Sequence, residues 1–366
     1  MKITVNHICK ALEELAPLAL QESYDNSGLL LGNRNTELSG VLICIDVTEE
    51  VLHEAITANC NMIVSHHPLV FTSLKSITES NMVERCIVLA IKHNLAIYAC
   101  HTNLDSVSGG VSFRMAQKIG LTQTRVLQAK KDSLLKLVTF VPLKHLNNVQ
   151  TAIFEAGGGQ IGKYDCCSFT STGKGSFRAS EGCHPFVGKI GKIHTEDETR
   201  LEIIIPAYLK TIITKILLQT HPYEEPAFDF IPIRNDWSQA GYGIIGNLEK
   251  PTSEKDFLFQ LKKVFKASCI KHTSFTNKKI QKVAMCGGSG ATLINLAIAS
   301  GADVYVSADF KYHDYFLAES KLLIADIGHF ESEQFTKEII FEHLTKKLSK
   351  FAIRFSEINT NPINYI

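Results

Sequence analysis

His66 and His67 close the apolar run Met62-Ile63-Val64 and are followed at once by Pro68, so a buried strand would deliver two imidazoles together to the carboxyl edge of a sheet. Imidazole is the commonest metal ligand at neutral pH, and two rings leaving one strand can face one cavity where the backbone bends. Taken alone, Ser65-His66-His67-Pro68 reads equally well as a pair of loop histidines. Companions elsewhere in the chain decide. A second expected strand, Leu95 to Cys100, runs into His101-Thr102-Asn103-Leu104-Asp105, and a third, Leu322 to Ala325, into Asp326-Ile327-Gly328-His329-Phe330-Glu331-Ser332-Glu333. His329 and Glu333 stand four apart at the start of a predicted helix, a spacing that can share one face; Glu331 is two residues from His329 and points elsewhere.

The collected candidates are His66, His67, Asp105, His329 and Glu333, with His101 nearby, all at predicted strand ends or helix starts. One tetrahedral zinc takes three or four protein ligands, so five suggest two ions sharing a carboxylate, with the number left open by spacing alone. Zinc is the first expectation, and iron and manganese accept the same mixed shell; no Cys-x-x-Cys occurs to build a zinc finger. Asp309 and His313, four apart after Val304 to Val306, and Asp46 after Val41 to Ile45 are each read two ways. They line the pocket or hold a ligating ring's other nitrogen, or the aspartates cap helices, which for Asp309 is the slightly favoured reading. Gly287-Gly288-Ser289-Gly290 has the texture of a phosphate loop, but no Lys-Ser/Thr follows; its amides could still cradle an anion. The absence of a Gly-x-Ser-x-Gly elbow argues against serine hydrolase chemistry.

The elements that must position these groups alternate. Val41 to Ile45 is a strand, Thr48-Glu49-Glu50 opens a helix through Ala58, Met62 to Val64 is the next strand, and a helix from Met82 to His93 precedes the strand at Leu95. Strands spaced by helices predict a mostly parallel sheet. The texture returns from Val283 onward, so the expected fold is α/β, with two related α/β lobes at residues 1–124 and 237–366 forming the core. Between them, residues 125–236 carry scattered glycines, a strong β run at Leu201 to Ile205 and a helix from Tyr208 to Leu218, and read as an inserted α+β domain.

The size of 366 residues and the 45% hydrophobic composition suffice for such a core. With 38 basic against 37 acidic residues there is no broad field to attract nucleic acid or anionic lipid. The sequence shows neither a secretory leader nor an apolar run of roughly 18 residues, and its ten cysteines lack a paired motif. The expectation is a cytoplasmic protein with reduced thiols.

At this point the motifs become specific. Ser65-His66-His67-Pro68, His101-Thr102-Asn103-Leu104-Asp105, Gly328-His329-Phe330-Glu331-Ser332-Glu333 and Tyr24-Asp25-Asn26-Ser27-Gly28-Leu29 resemble the GTP cyclohydrolase 1 type 2 homologs, also called NIF-three-like dinuclear-metal proteins, over nearly the whole chain. The resemblance implies that His66, His67, Asp105, His329 and Glu333 hold two divalent ions, and that the subunits assemble as a homohexamer. It also implies a hydrolase acting on a nucleotide such as GTP, with His101 or His313 moving protons; the alternative is a non-catalytic, metal-binding regulatory protein. Gly162-Lys163-Tyr164 and His221-Pro222-Tyr223-Glu224-Glu225-Pro226 make the middle segment similar to a ferredoxin-like, PII-like insertion. One departure from the family pattern is visible: Ser307-Ala308-Asp309 stands where the family commonly has Thr-Gly-Asp, which would alter the pocket if that backbone requires positive φ.

Overall fold

Val41–Cys44, Met62–Ser65 and Ala96–Ala99 are apolar runs in which every residue is buried, as strands of a parallel sheet covered on both faces must be. The structure, a computed structural model, describes residues 2–366. These three strands pair in parallel, with Ile353–Phe355 parallel to Val41–Cys44 at one edge and Gly28–Leu31 antiparallel at the other. Side-chain alternation sorts the two faces. Val41, Ile43, Met62 and Val64 pack with the helices Val5–Leu15 and Thr336–Lys347, while Leu42, Cys44 and Ile63 pack with Glu49–Thr57 and Met82–Lys92. Thr48 caps the first of the latter helices by accepting from Val51 N, and Asn81 caps the second.

A six-stranded sheet repeats the plan. Lys279–Ser289, Val304–Ala308 and Leu323–Asp326 run parallel at its centre. Val283, Met285, Val304 and Val306 meet Phe257 and Leu261 on one face; Ala284, Tyr305 and Ile324 meet Ile294 and Ala297 on the other. The protein is thus mixed α/β with several sheets. Two compact units are present, one formed by 1–129 with 239–366 and the other by 130–238. The strand Thr122–Lys130 hydrogen-bonds into the six-stranded sheet, so the first unit's chain continues past residue 125 before leaving it.

The second unit is a four-stranded antiparallel sheet whose long central strand Ile193–Pro206 pairs with Phe169–Arg178 and Leu134–Pro142, the latter also pairing with Phe228–Ile233. Helices Leu146–Glu155 and Lys210–Thr220 bury Val149, Ile153, Ile213 and Leu217 against Leu137, Leu201 and Ile203. Cys44, Cys100 and Cys286 are buried, and Cys269 is exposed. Among the described residues no helix is long and apolar enough to cross a membrane.

Candidate metal centre

Within a sheet, parallel strands point their carboxyl ends one way, and the candidate residues lie one to three positions past those ends. His66 and His67 follow Met62–Ser65, His101 follows Ala96–Ala99, Asp46 follows Val41–Cys44, Asp309 follows Val304–Ala308, and His329 follows Leu323–Asp326. His329–Glu333 is a single helical turn, so His329 and Glu333 do share a face.

Four imidazoles are held in one orientation. His66 Nδ1–H donates to the Cys100 carbonyl at 2.7 Å, and Nδ1 of His67, His101 and His329 lies 2.7, 2.7 and 2.5 Å from carboxylate oxygens of Asp46, Asp25 and Asp309. Each Nδ1 faces only an acceptor and therefore carries the proton, which leaves Nε2 of the neutral ring as a lone pair. Those lone pairs converge for three of the rings. Nε2 of His66, His67 and His329 lies 3.6, 3.0 and 3.1 Å from Glu333 Oε2, His67 Nε2 is 3.3 Å from His329 Nε2, and Asp105 Oδ1 is 3.8 Å from His66 Nε2.

His66 Nε2, Asp105 Oδ1 and Glu333 Oε2 are buried without a hydrogen-bond partner. Orphaned buried acceptors cost free energy unless something electropositive sits among them. His66, His67 and Glu333 place one donor atom each within 4.8 Å of one another, the spacing of a metal site. The residues present therefore fit a divalent ion. Electrostatics agrees: burial would raise Glu333, but positive charge on the surrounding His66, His329 and His67 rings outweighs it and holds its carboxyl well below the ordinary range. Asp105, buried beside that charge, is pushed well above its ordinary value. Two carboxylates in one dry site need a cation before both can ionise.

The five ligand candidates thus meet. His101 lies beside them, its ring centroid 5.5 Å from His66 and 5.4 Å from His67. His313 does not join: it is exposed, contacts Tyr312 and Phe316, and is absent from the walls of the cavity of about 830 Å3 over the site. Glu331 turns away and accepts from Asn361 Nδ2.

The Duf34/NIF3 (NGG1p interacting factor 3) family profile matches residues 3–362. The chain belongs to this family. A Halalkalibacterium halodurans protein named GTP cyclohydrolase 1 type 2 homolog is 37% identical over 365 residues, 98% of each chain. A Bacillus subtilis protein of the same name is 34% identical, again over 98% of each. A crystal structure of a Bacillus cereus protein related to NIF3 aligns over 100% of both chains with a TM-score of 0.87 at 35% identity. A Staphylococcus aureus protein aligns over 100% of this chain and 99% of its own, with a TM-score of 0.78 at 30% identity.

In this NIF3-family chain the supporting acceptors were the part that sequence reasoning left open or missed. Asp46 and Asp309 cap no helix; each accepts from a site imidazole, and Thr48, not Asp46, caps the helix that follows. Positive φ at the Ser307-Ala308-Asp309 turn falls on Asp309 (58°), so Ala308 meets no such demand. Asp25 received no role, although its motif was visible. Its fully buried carboxylate takes His101 Nδ1–H, Thr102 N–H and the hydroxyls of Thr102 and Ser27. Burial would raise it, but these donors hold it well below the ordinary carboxylate range. The glycine loop also acquires its reason. Gly288 has φ +60° and a Cβ there would overlap the Glu333 carboxylate, so the loop is glycine-rich to let a ligand candidate lie against the backbone.

Proposed function

We propose that this chain is a metal-dependent hydrolase whose His66, His67, Asp105, His329 and Glu333 would hold two divalent ions, zinc foremost. The observation that carries this is the convergence of three imidazole lone pairs on a buried Glu333 oxygen that has no hydrogen-bond partner. Ions bound there would supply Lewis-acid polarisation of a substrate and acidify water to near neutral pH.

The protein's own groups do the rest. Asp46, Asp309 and the Cys100 carbonyl fix the tautomers and aim of the ligating rings. His101, clamped through Nδ1 by Asp25, presents Nε2 to the cavity, where it can take or return a proton at the reacting atom. The relatives' name directs the first substrate trial to GTP and its ring.

The test is elemental analysis of untagged protein followed by hydrolytic turnover of GTP and related nucleotides with the metals retained. Metal near two ions per chain and product formation, both lost in Glu333→Gln, are the expected results; a wild-type protein without metal refutes the reading.

A second reading, a metal-binding regulatory protein, draws on the inserted unit, whose four antiparallel strands and two helices suit a ferredoxin-like, PII-like domain. That unit has a cavity of its own of about 950 Å3, walled in part by Phe177, Phe186, Tyr223 and Arg200. Stoichiometric nucleotide binding without product would favour it. Under either reading a homohexamer in the cytoplasm, where its ten free cysteines stay reduced, is expected; native mass measurement tests the assembly.

A further inference from the structure

We infer that the cavity over the metal centre is built to receive an uncharged planar ring, of the kind a purine nucleoside carries, and gives no hold to a polyphosphate. This rests on the site being a metal hydrolase and narrows what it hydrolyses. Two independent features of the cavity wall lead there.

The first is its charge. Among the described residues Glu22, Asp46, Asp105 and Glu333 line it, and no lysine or arginine does. Two divalent ions would bring four positive charges against these four carboxylates, so the loaded cavity has no surplus to offset a triphosphate. Proteins that grip phosphates use arginine forks, lysines or free backbone amides. Here two of the glycine loop's amides are already engaged: Gly287 N–H donates to Ser112 Oγ and Gly288 N–H to Ser332 Oγ. The anion-cradle expectation for that loop is therefore not met at these two residues. A polyphosphate entering this cavity would meet no lysine or arginine to offset its charge.

The second is its mouth. Tyr24 and Phe71 keep 71% and 51% of their surface exposed, and Met82 keeps 43%, all of them in the cavity wall. Phe71 stands edge-on to His101, centroids 5.4 Å apart and planes at 88°. Exposed aromatic rings beside an acidic metal site give a flat, apolar partner somewhere to stack, and every base offers such a face. Phe71 thereby places a stacked ring next to the one imidazole of the four whose Nε2 is not drawn into the ligand cluster.

The experiment uses the full-length, metal-loaded protein. Metal content is read first by elemental analysis, then guanosine, GMP and GTP are titrated calorimetrically under a metal buffer that holds the free ion constant, and metal content is read again. Guanosine is expected to bind at least as tightly as GTP. Phe71→Ala and Tyr24→Ala are expected to weaken guanosine by about tenfold, within the range base stacking spans, with metal content unchanged and Phe71→Tyr restoring affinity. GTP binding about tenfold tighter than guanosine at constant metal content overturns the inference. So does guanosine affinity indifferent to both alanine variants, or no guanosine binding at all. Absence of metal in the wild-type protein at the first reading instead defeats the underlying hydrolase reading, so the two failures are told apart before any nucleoside is added.

Discussion

Nε2 of His67 faces Nε2 of His329 at 3.3 Å across 262 residues of chain. With both Nδ1 protons committed to carboxylates, two lone pairs this close need a proton or a cation between them. Burial alone would depress both rings. The Asp46 and Glu333 carboxylates beside a protonated ring outweigh it and lift His67 to about 9, and Asp309 and Glu333 in the same way lift His329 to about 11. At about pH 7 the metal-free site therefore holds protons that an entering ion must expel. Zinc uptake is expected to release protons at neutral pH and to tighten as pH rises toward 9. Titration calorimetry in buffers of different ionisation enthalpy measures this; an observed heat independent of buffer contradicts it.

The aspartates behind the rings give a second prediction. Asp46→Asn and Asp309→Asn keep the shape of each side chain but put an amide where a carboxylate oriented the ligand. Each is expected to weaken metal binding roughly 10- to 100-fold, read by competition with a chromophoric chelator. Glu331→Gln, which contacts Asn361 and not a ring, is the control. It should leave metal affinity as in the wild-type protein, and equal losses in all three variants would deny the aspartates their orienting role.

The strands and the ligand candidates were legible because their signals are local. An apolar run that ends in histidines announces a buried strand and its carboxyl edge, and the spacing of His329 and Glu333 announces a helical face. The acceptors were not legible for the converse reason. Asp46, Asp309 and Asp25 lie 21, 20 and 76 residues from the rings they hold, and a short aspartate beside a helix start has the same local appearance whether it caps or orients. His313 shows the opposite failing of pattern: four residues from Asp309 and well spaced for a shared face, it lies instead in the exposed turn Tyr312–Ala318, where no regular α-helix enforces that spacing.

Gly288 provides a third test of the site's construction. Its positive φ costs about 1–3 kcal/mol for a residue with a side chain, and the added methyl would meet Glu333 Oε1. Gly288→Ala is expected to lower stability by that order and to abolish high-affinity metal binding, because the carboxylate must move. Chemical denaturation and elemental analysis read the two effects separately. Full metal content with only the stability loss would show that Glu333 has freedom to relax, contrary to the packing described.

Thr360 carries the last prediction. The strand Ile353–Phe355 pairs in parallel with Val41–Cys44 and so directs the extended chain that follows it past Asp46. There Thr360 Oγ–H donates to Asp46 Oδ2 at 2.7 Å while Asp46 Oδ1 receives His67 Nδ1–H, a relay from the final segment to a ligand candidate. A neutral hydroxyl fixing a carboxylate contributes about 0.5–1.5 kcal/mol net. Thr360→Val should therefore cost no more than that in stability, yet loosen Asp46 and weaken zinc binding several-fold, with Thr360→Ser restoring it. Serine keeps the hydroxyl and drops only the methyl, so recovery assigns the effect to the hydrogen bond. If valine and serine variants bind zinc alike, the segment contributes packing alone and the relay plays no part in holding the site.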